Sequence, residues 1–523
     1  MAAGKIIRKV VFGLTAALLV AIPAVGTPIY KQNEAAIKGF LLTNNVAVSD
    51  EEKTASKASG DALAKQALAD GMVLLKNENN ALPLKSSEKT LNVLGYHSVA
   101  WLHGGSGSGM VSKSTADTGF ADILSSLRGY GVTLNEDILT YYRSIHDAGA
   151  NPNIDTLNFH RQSDGHRFDL YDPAISGEYQ TKLNAAVSFS DTAIVVIGRQ
   201  GGESEDMPEM QYKAGNKIDA SRHDLQISEE EEALLRFAGA NFQKTIVVIN
   251  STNSFQMDFL ESIEGIDAAI LIGPSGTQGA DIIAKALYGD GIVPSGHLAD
   301  TLPYDFTENV AYEYCGYEGV SFFSNTASYG TNQSTNAGLN TRPSLPYVDY
   351  VEGIYVGYRY YETADKMNVF SSKTRTLLDG TTAKGYDAVV QFPFGYGLGY
   401  TDFSWEIANV SMPESEAITA DTKITVQVVV KNIGTTIGKD VVELYLDQPY
   451  ISGGIEKSAT KLVDFEKTGM LEPGETEVVT LNVKARDFAS YDCYDKNNNG
   501  KTTYEIDAGD YTLRLATDSH HNK

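Results

Sequence analysis

The chain has 523 residues, room for two or three domains, and its hydrophobic fraction of 42% with 10% aromatics is that of globular protein. A formal net charge of -25 repels phosphate backbones and anionic headgroups, which excludes nucleic acid and basic-patch membrane binding as natural partners while leaving neutral ligands such as sugars unaffected. The two cysteines, Cys315 and Cys493, exclude a disulfide framework and lack the clustered spacing of a zinc site.

Lys5, Arg8 and Lys9 precede an uncharged run from Val10 to Tyr30, the pattern of an export signal. The run is long enough to cross a bilayer as a helix, and Ala24-Val25-Gly26 offers a small-x-small cleavage site. The expectation is a retained hydrophobic helix that leaves the rest of the chain on the outer face of the cell membrane, with secretion after cleavage as the alternative. Residues 31 to about 57 read as a helical or flexible stalk, so residues 1–60 form anchor and stalk.

Leu63, Ala67 and Leu68 follow at helical spacing, then a Leu82-Pro83-Leu84 turn and a strand over Leu91 to Tyr96. The loop Gly104 to Gly109 fails as a phosphate cradle. Met110 stands where the dinucleotide fingerprint needs glycine, and no Lys-Ser/Thr pair completes a P-loop. Ala193 to Ile197 reads as a strand buried on both faces, and the Gly-rich turn after it carries Glu203, Glu205 and Asp206. Ser228 with Glu231 is a capping box opening an amphipathic helix, and Thr245 to Ile249 and Asp267 to Ile272 are further buried strands. Alternating strands and helices imply a mostly parallel α/β sheet. Right-handed crossovers then put the loops after Ile197, Ile249 and Ile272 on one edge, where ligands bind in such sheets. The acidic loop is therefore the first candidate for chemistry, against the plainer reading of a solvated turn.

After Tyr400 the period changes to two, with Ile424, Val426, Val428 and Val430 alternating and turns at Asn432-Ile433-Gly434 and Pro473-Gly474, which predicts an all-β sandwich. Asp495, Asn497, Asn499 and Gly500 reproduce the first half of a calcium loop, but Ile506 occupies the twelfth position, which needs a glutamate. A hairpin loop is the better reading, and no metal is assigned.

GMVLLKNENNALPL from Gly71, VVIGRQGGESED from Val195, GTQGADIIAKALYGDGIVPSGHLADTLPYDF from Gly276, EGIYVGYRYYE from Glu352 and FPFGYGLGYTDF from Phe392 resemble glycoside hydrolase family 3, in the order used by its six-stranded α/β sandwich domain. VVVKNIGTTIGKDVVELYL, LEPGETEVVTLNV and AGDYTLRL resemble the fibronectin type III-like domain that closes many members. The resemblance implies a sandwich domain over 61–400, with a loop insertion at about 307–348, and a fibronectin type III-like domain over 401–523. It further implies a retaining β-glucosidase acting without cofactor, whose nucleophile is an aspartate on a (β/α)8 barrel, usually in a Ser-Asp-Trp-like motif. No such motif occurs here, and the chain resembles the first half of the circularly permuted members, with the barrel expected downstream or in trans. Against the family pattern Ser-Gly-Glu-Gly-x-Asp-Arg, Glu203 falls on the catalytic acid/base and Asp206 on the Asp, while Ser204 replaces glycine and Met207 replaces arginine. Glu205, two residues away, is the alternative acid. The functional expectation is the acid/base half of a β-glucosidase acting on β-glycosides of unspecified sugar. The alternative is a non-catalytic surface module that binds carbohydrate or a partner.

Overall fold

The computed structural model describes residues 49–105, 107–111, 120–148, 169–202, 210–214, 217–309, 311–312, 350–412 and 419–523. The chain divides into two units, residues 1–62 and 63–523. Helix α1 (Asp50–Gly71), which begins in the first, is opened by reciprocal bonds: Ser49 Oγ accepts the Glu52 N–H at 3.1 Å and Glu52 Oε2 accepts the Ser49 N–H at 2.8 Å. Lys57 and Asp61 add an i,i+4 pair at 2.9 Å, and no residue of α1 is buried. The apolar run Val10 to Tyr30 lies outside the described residues, among which no helix is long and apolar enough to cross a membrane.

The second unit begins with a six-stranded sheet. Its strands are β1 (Val73–Asn77), β2 (Thr90–Leu94), β3 (Thr133–Leu134), β4 (Thr192–Arg199), β5 (Lys244–Ser251) and β6 (Ala268–Ile272), in lateral order β1-β6-β5-β4-β2-β3. Only β1 is antiparallel to its neighbour. A parallel sheet must be covered on both faces, and successive residues of each strand serve opposite cores. Ile194, Val196, Ile246 and Val248 pack with helices α2 (Ile123–Gly129) and α6 (Ile283–Tyr288). Val195, Ile197, Val247 and Ile249 pack on the other face with α3 (Glu136–Ala148), α4 (Gly177–Phe189) and α5 (Glu229–Asn241). Each fully buried Ile, Val or Leu contributes about 1.5–3 kcal/mol, which explains why these strands carry no polar alternation.

The expected capping box at α5 is present: the Ser228 Oγ accepts the Glu231 N–H at 3.1 Å and Glu231 Oε2 accepts the Ser228 N–H at 2.7 Å. The expected strand at Leu91 to Tyr96 is shorter. It stops at Leu94 because Gly95 turns the backbone at φ +90, where an added Cβ would lie 2.4 Å from the Val196 carbonyl oxygen, and Tyr96–Ser98 form a 3-10 turn.

The expected β-sandwich follows, with sheets β7-β8-β11 and β10-β9-β12 formed by β7 (Phe403–Ser411), β8 (Lys423–Asn432), β9 (Val441–Asp447), β10 (Thr460–Lys467), β11 (Thr476–Lys484) and β12 (Thr512–Ala516). Alternate residues Val426, Val428 and Val430 of β8 point into a core shared with Val442 and Leu444 of β9. The sandwich is joined to the α/β layers by Tyr400 Oη donating to the Ala286 carbonyl at 2.9 Å and by Lys467 Nζ donating to that of Asp70 at 2.8 Å. The run Asp495 to Gly500 lies in the expected hairpin, between Ser490–Asp492 and Thr503–Glu505. Its Asp495 carboxylate accepts the backbone N–H groups of Asn499 and Gly500, and the Asn497 and Asn499 amides both donate to Glu505, one residue before Ile506. Cys493 is a free, exposed thiol. Cys315 and residues 313–349, most of the expected insertion, lie outside the described residues.

Candidate active site

Because β4, β5 and β6 are parallel and in register (Ile197 beside Ile249, Ile249 beside Leu271), their carboxyl ends share one edge. Asn250, at the end of β5, ties the loops there together. Its Oδ1 accepts the Leu102 N–H at 2.7 Å and its Nδ2 donates to the carbonyls of Leu102 and Gly273 at 3.2 and 3.3 Å. Trp101 Nε1 donates to Ser275 Oγ at 2.9 Å, closing the same junction.

The loop leaving β4 is rooted in glycine. A Cβ on Gly198 would lie 2.7 Å from His97 Nδ1 and 2.9 Å from the Asn250 carbonyl, and one on Gly105 would lie 2.8 Å from the Gly201 carbonyl. Gly105 thus serves close backbone approach to Gly201, where the chain leaves β4. The Gly201 N–H donates to Thr252 Oγ1 at 2.7 Å, and the Thr252 N–H to the Arg199 carbonyl at 3.0 Å.

Arg199 holds this root to its surroundings. Its Nη1 and Nη2 meet Glu231 Oε1 and Oε2 at 2.8 and 2.6 Å, and the remaining donors reach the carbonyls of Gly198, Asp224 and Gln226 at 2.7, 2.7 and 2.6 Å. All five guanidinium N–H groups are used, with Arg199 2% and Glu231 3% exposed. Both ends of the excursion from Gln200 to His223 are therefore pinned to one side chain. Fully buried Gln211 adds a second tie on the return arm, its Nε2 donating to the carbonyls of His223 and Gln226 at 3.1 and 3.0 Å. Sequence reasoning passed over Arg199, Glu231 as its partner, and Asn250. The signal available was an arginine closing a run of buried apolar strand residues, where a charge needs a buried partner.

Burial sets the protonation of the root. It pushes the Asp224 carboxyl up to about 7, and Asp172, whose Oδ1 accepts the Tyr96 N–H at 2.9 Å, also to about 7. Burial likewise pushes His97 down to about 4, so it is neutral and its Nδ1–H donates to the Ala100 carbonyl at 3.0 Å. Glu231 behaves oppositely to Asp224. Burial would raise it, but the charge and hydrogen bonds of Arg199 and the Ser228 N–H hold it below the usual carboxylate range. Glu203, Glu205 and Asp206 lie outside the described residues, which stop at Gly202 and resume at Met210. Among the described residues, no cluster of three His, Cys, Asp or Glu side chains is placed to hold a metal ion.

The fold is thus a three-layer α/β domain with a glycine-rooted loop at the carboxyl edge of its parallel strands, followed by a β-sandwich. The chain belongs to glycosyl hydrolase family 3: the C-terminal domain of that family matches residues 72–358, and a fibronectin type III-like domain matches residues 440–519. It is 31% identical over 454 residues to a β-glucosidase of Ruminococcus albus, covering 86% of this chain and 38% of the relative. β-Glucosidase A of Butyrivibrio fibrisolvens is 28% identical over 483 residues, with 87% and 49% covered. Among solved structures, a β-glucosidase from Paenibacillus barengoltzii superposes with a TM-score of 0.67 at 27% identity, over 88% of this chain and 42% of that one. β-Glucosidase 3B from Thermotoga neapolitana, solved with α-D-glucose, gives 0.64 at 25%, over 89% and 53%. The chain therefore spans about 38% to 49% of the length of these curated relatives.

Proposed function

We propose that the chain supplies the acid/base half of a retaining β-glucosidase, with Glu203 as the acid and base. The observation that carries this reading is the delivery of Gly201-Gly202, the two residues ahead of Glu203 in sequence, from β4 to the sheet edge, on a root clamped by Arg199 at both ends. The β-glucosidase names of its relatives supply the reaction. In such an enzyme Glu203 protonates the leaving oxygen while a carboxylate about 5 Å away attacks the anomeric carbon; Glu203 then takes a proton from the water that releases the sugar. The nucleophile belongs to a (β/α)8 barrel, downstream or in trans. Residues 1–60 act as anchor and stalk, 61–400 as the acid/base sandwich and 401–523 as its buttress, displayed on the outer face of the cell membrane. Fractionation of the expressed protein with membranes is the expected result, against a soluble product starting near Thr27.

The test of the chemistry is a leaving-group comparison. With the barrel supplied, Glu203→Ala lowers turnover of substrates with poor leaving groups by roughly 100- to 10,000-fold, the range for a lost general acid, and spares the glycosylation step of activated aryl glycosides while slowing release of their sugar. Azide, which attacks the glycosyl-enzyme without base assistance, restores their turnover. Equal loss on both substrate types without azide rescue, with the differential pattern appearing in Glu205→Ala instead, moves the role to Glu205.

A further inference from the structure

A cleft of about 340 Å³ opens where the α/β layers meet the C-terminal segment, walled by Tyr304, Thr381, Thr382, Tyr386, Asp387 and His521. Tyr304 comes from the segment after the short strand Leu302–Pro303, the threonines from the hairpin Thr374–Thr376/Thr382–Lys384, and His521 from the tail beyond β12.

Its aromatic walls are fixed in place. Tyr304 is 7% exposed with the Arg375 guanidinium 3.9 Å from its ring centre, and Tyr386 is 4% exposed, stacked on His520 with ring centres 3.6 Å apart and planes 3° from parallel. The Tyr386 hydroxyl donates to Glu362 at 2.7 Å, and that buried carboxylate also accepts Ser519 Oγ at 2.9 Å and His520 Nδ1 at 3.0 Å. The tail that carries His521 is thereby locked onto helix α7 (Tyr358–Lys366), which bears Glu362. The polar rim is unused. Among the described residues neither the Asp387 carboxylate nor the Thr382 hydroxyl has a hydrogen-bond partner, and His521 spends Nδ1 on Asp518 at 2.9 Å, leaving Nε2 for a ligand.

This combination selects a ligand class. Among the described residues no lysine or arginine lines the cleft and Asp387 faces it, so phosphates and other anions are repelled. An apolar ligand would strip water from Asp387 and His521 without replacing its hydrogen bonds. A small neutral molecule with many hydroxyls satisfies both walls and rim, and the volume lies at the small end of ligand pockets. We propose that this cleft is a binding site for a neutral mono- or disaccharide, held by hydrogen bonds to Asp387, Thr382 and His521 Nε2 between Tyr304 and Tyr386.

The site needs no barrel, so the test uses the chain itself, titrated with D-glucose and cellobiose and followed by calorimetry and saturation-transfer NMR. Saturable binding of at least one sugar is expected, with glucose 6-phosphate binding more weakly than glucose. Asp387→Ala, at an exposed position, should weaken binding roughly tenfold or more with no change in melting temperature, the effect of losing a hydrogen bond to a charged group, and His521→Ala should weaken it similarly while also giving up the bond to Asp518. No saturable binding of either sugar overturns the proposal, as does affinity unchanged in Asp387→Ala or equal affinity for the phosphorylated sugar. If Glu203→Gln abolishes binding and Asp387→Ala does not, the sugar sits at the acidic loop; the cleft proposal then fails while the reading of that loop stands.

Discussion

Replacing Arg199 by methionine removes a buried cation of similar length and leaves Glu231, 3% exposed, with the Ser228 N–H as its remaining donor. Breaking a buried pair from one side costs about 3–5 kcal/mol, because the surviving charge is uncompensated. The loss has a ceiling set by protonation. Glu231 can take up a proton at a cost of about 1.4 kcal/mol for each pH unit above an ordinary glutamate value near 4.3, which caps the charge penalty at about 4 kcal/mol at pH 7 and about 1 kcal/mol at pH 5. The sign agrees with linkage. In the native protein the Glu231 value is lowered, so its stabilisation is present above the unfolded value and lost in acid; in Arg199→Met it is raised, so stability falls as pH rises. The difference between the two proteins should therefore shrink by about 3 kcal/mol from pH 7 to pH 5. The two tryptophans make the assay clean, since Trp101 lies in the α/β domain and Trp405 in the β-sandwich. Urea unfolding in a Trp405→Phe background then reports the α/β domain alone. Adding Glu231→Gln to Arg199→Met should recover much of the loss. A penalty below about 1 kcal/mol at pH 7, or one unchanged at pH 5, would refute the clamp as the origin of the root's stability.

Asp224 gives a pH signature of its own. Its folded value of about 7 lies above the unfolded value, so the folded state retains a proton that the unfolded chain releases and stability falls as pH rises from about 4 to 7. Asp224→Asn should flatten that decline in urea midpoints measured across the window; an unchanged slope rejects burial of a neutral acid there. Gly198→Ala places a methyl group against the His97 ring and the Asn250 carbonyl and should cost about 1–3 kcal/mol by thermal unfolding, whereas Gly109→Ala, with no atom within 4 Å of the added Cβ, should be tolerated. If Glu203 is the acid, Glu205→Gln and Asp206→Asn should each lower the upper apparent pKa of kcat/KM in the barrel-complemented enzyme, because each removes a negative charge that favours the protonated acid.

That last expectation follows from where the cations near the loop are spent. The first turn of α5 carries Glu229, Glu230, Glu231 and Glu232, more negative charge than its helix dipole needs. Three cations on or beside the excursion meet this turn. Lys213 lies 2.8 Å from Glu230, Arg199 2.6 Å from Glu231 and Arg222 2.6 Å from Glu232. The arginine that the family pattern places after Asp206 is Met207 here, and Arg199, the nearest arginine in sequence, has no donor left. The acidic turn of α5 thus engages these three cations; if Glu203 is the acid, that leaves them unavailable to favour its ionised form, which suits a carboxyl required to hold a proton near neutral pH.

What could be read from the sequence was whatever a single period or a local bond dictates. Ala193–Ile197 and Ile246–Ile249 are apolar at every position because each face of a parallel sheet meets a helix layer, and the Ser228–Glu231 box needs only residues three apart. The antiparallel edge strand β1 was passed over although Val73, Leu74 and Leu75 are all buried, since a run of three apolar residues fixes neither element nor direction. The clamp was illegible for a different reason: Arg199 and Glu231 are 32 residues apart, and their pairing exists only once a right-handed crossover brings the start of α5 back to the end of β4. Local pattern found the loop that carries the carboxylates. Only the tertiary path reveals that the glutamate capping α5 also holds that loop's root, so a change at Glu231 strikes helix and candidate site together.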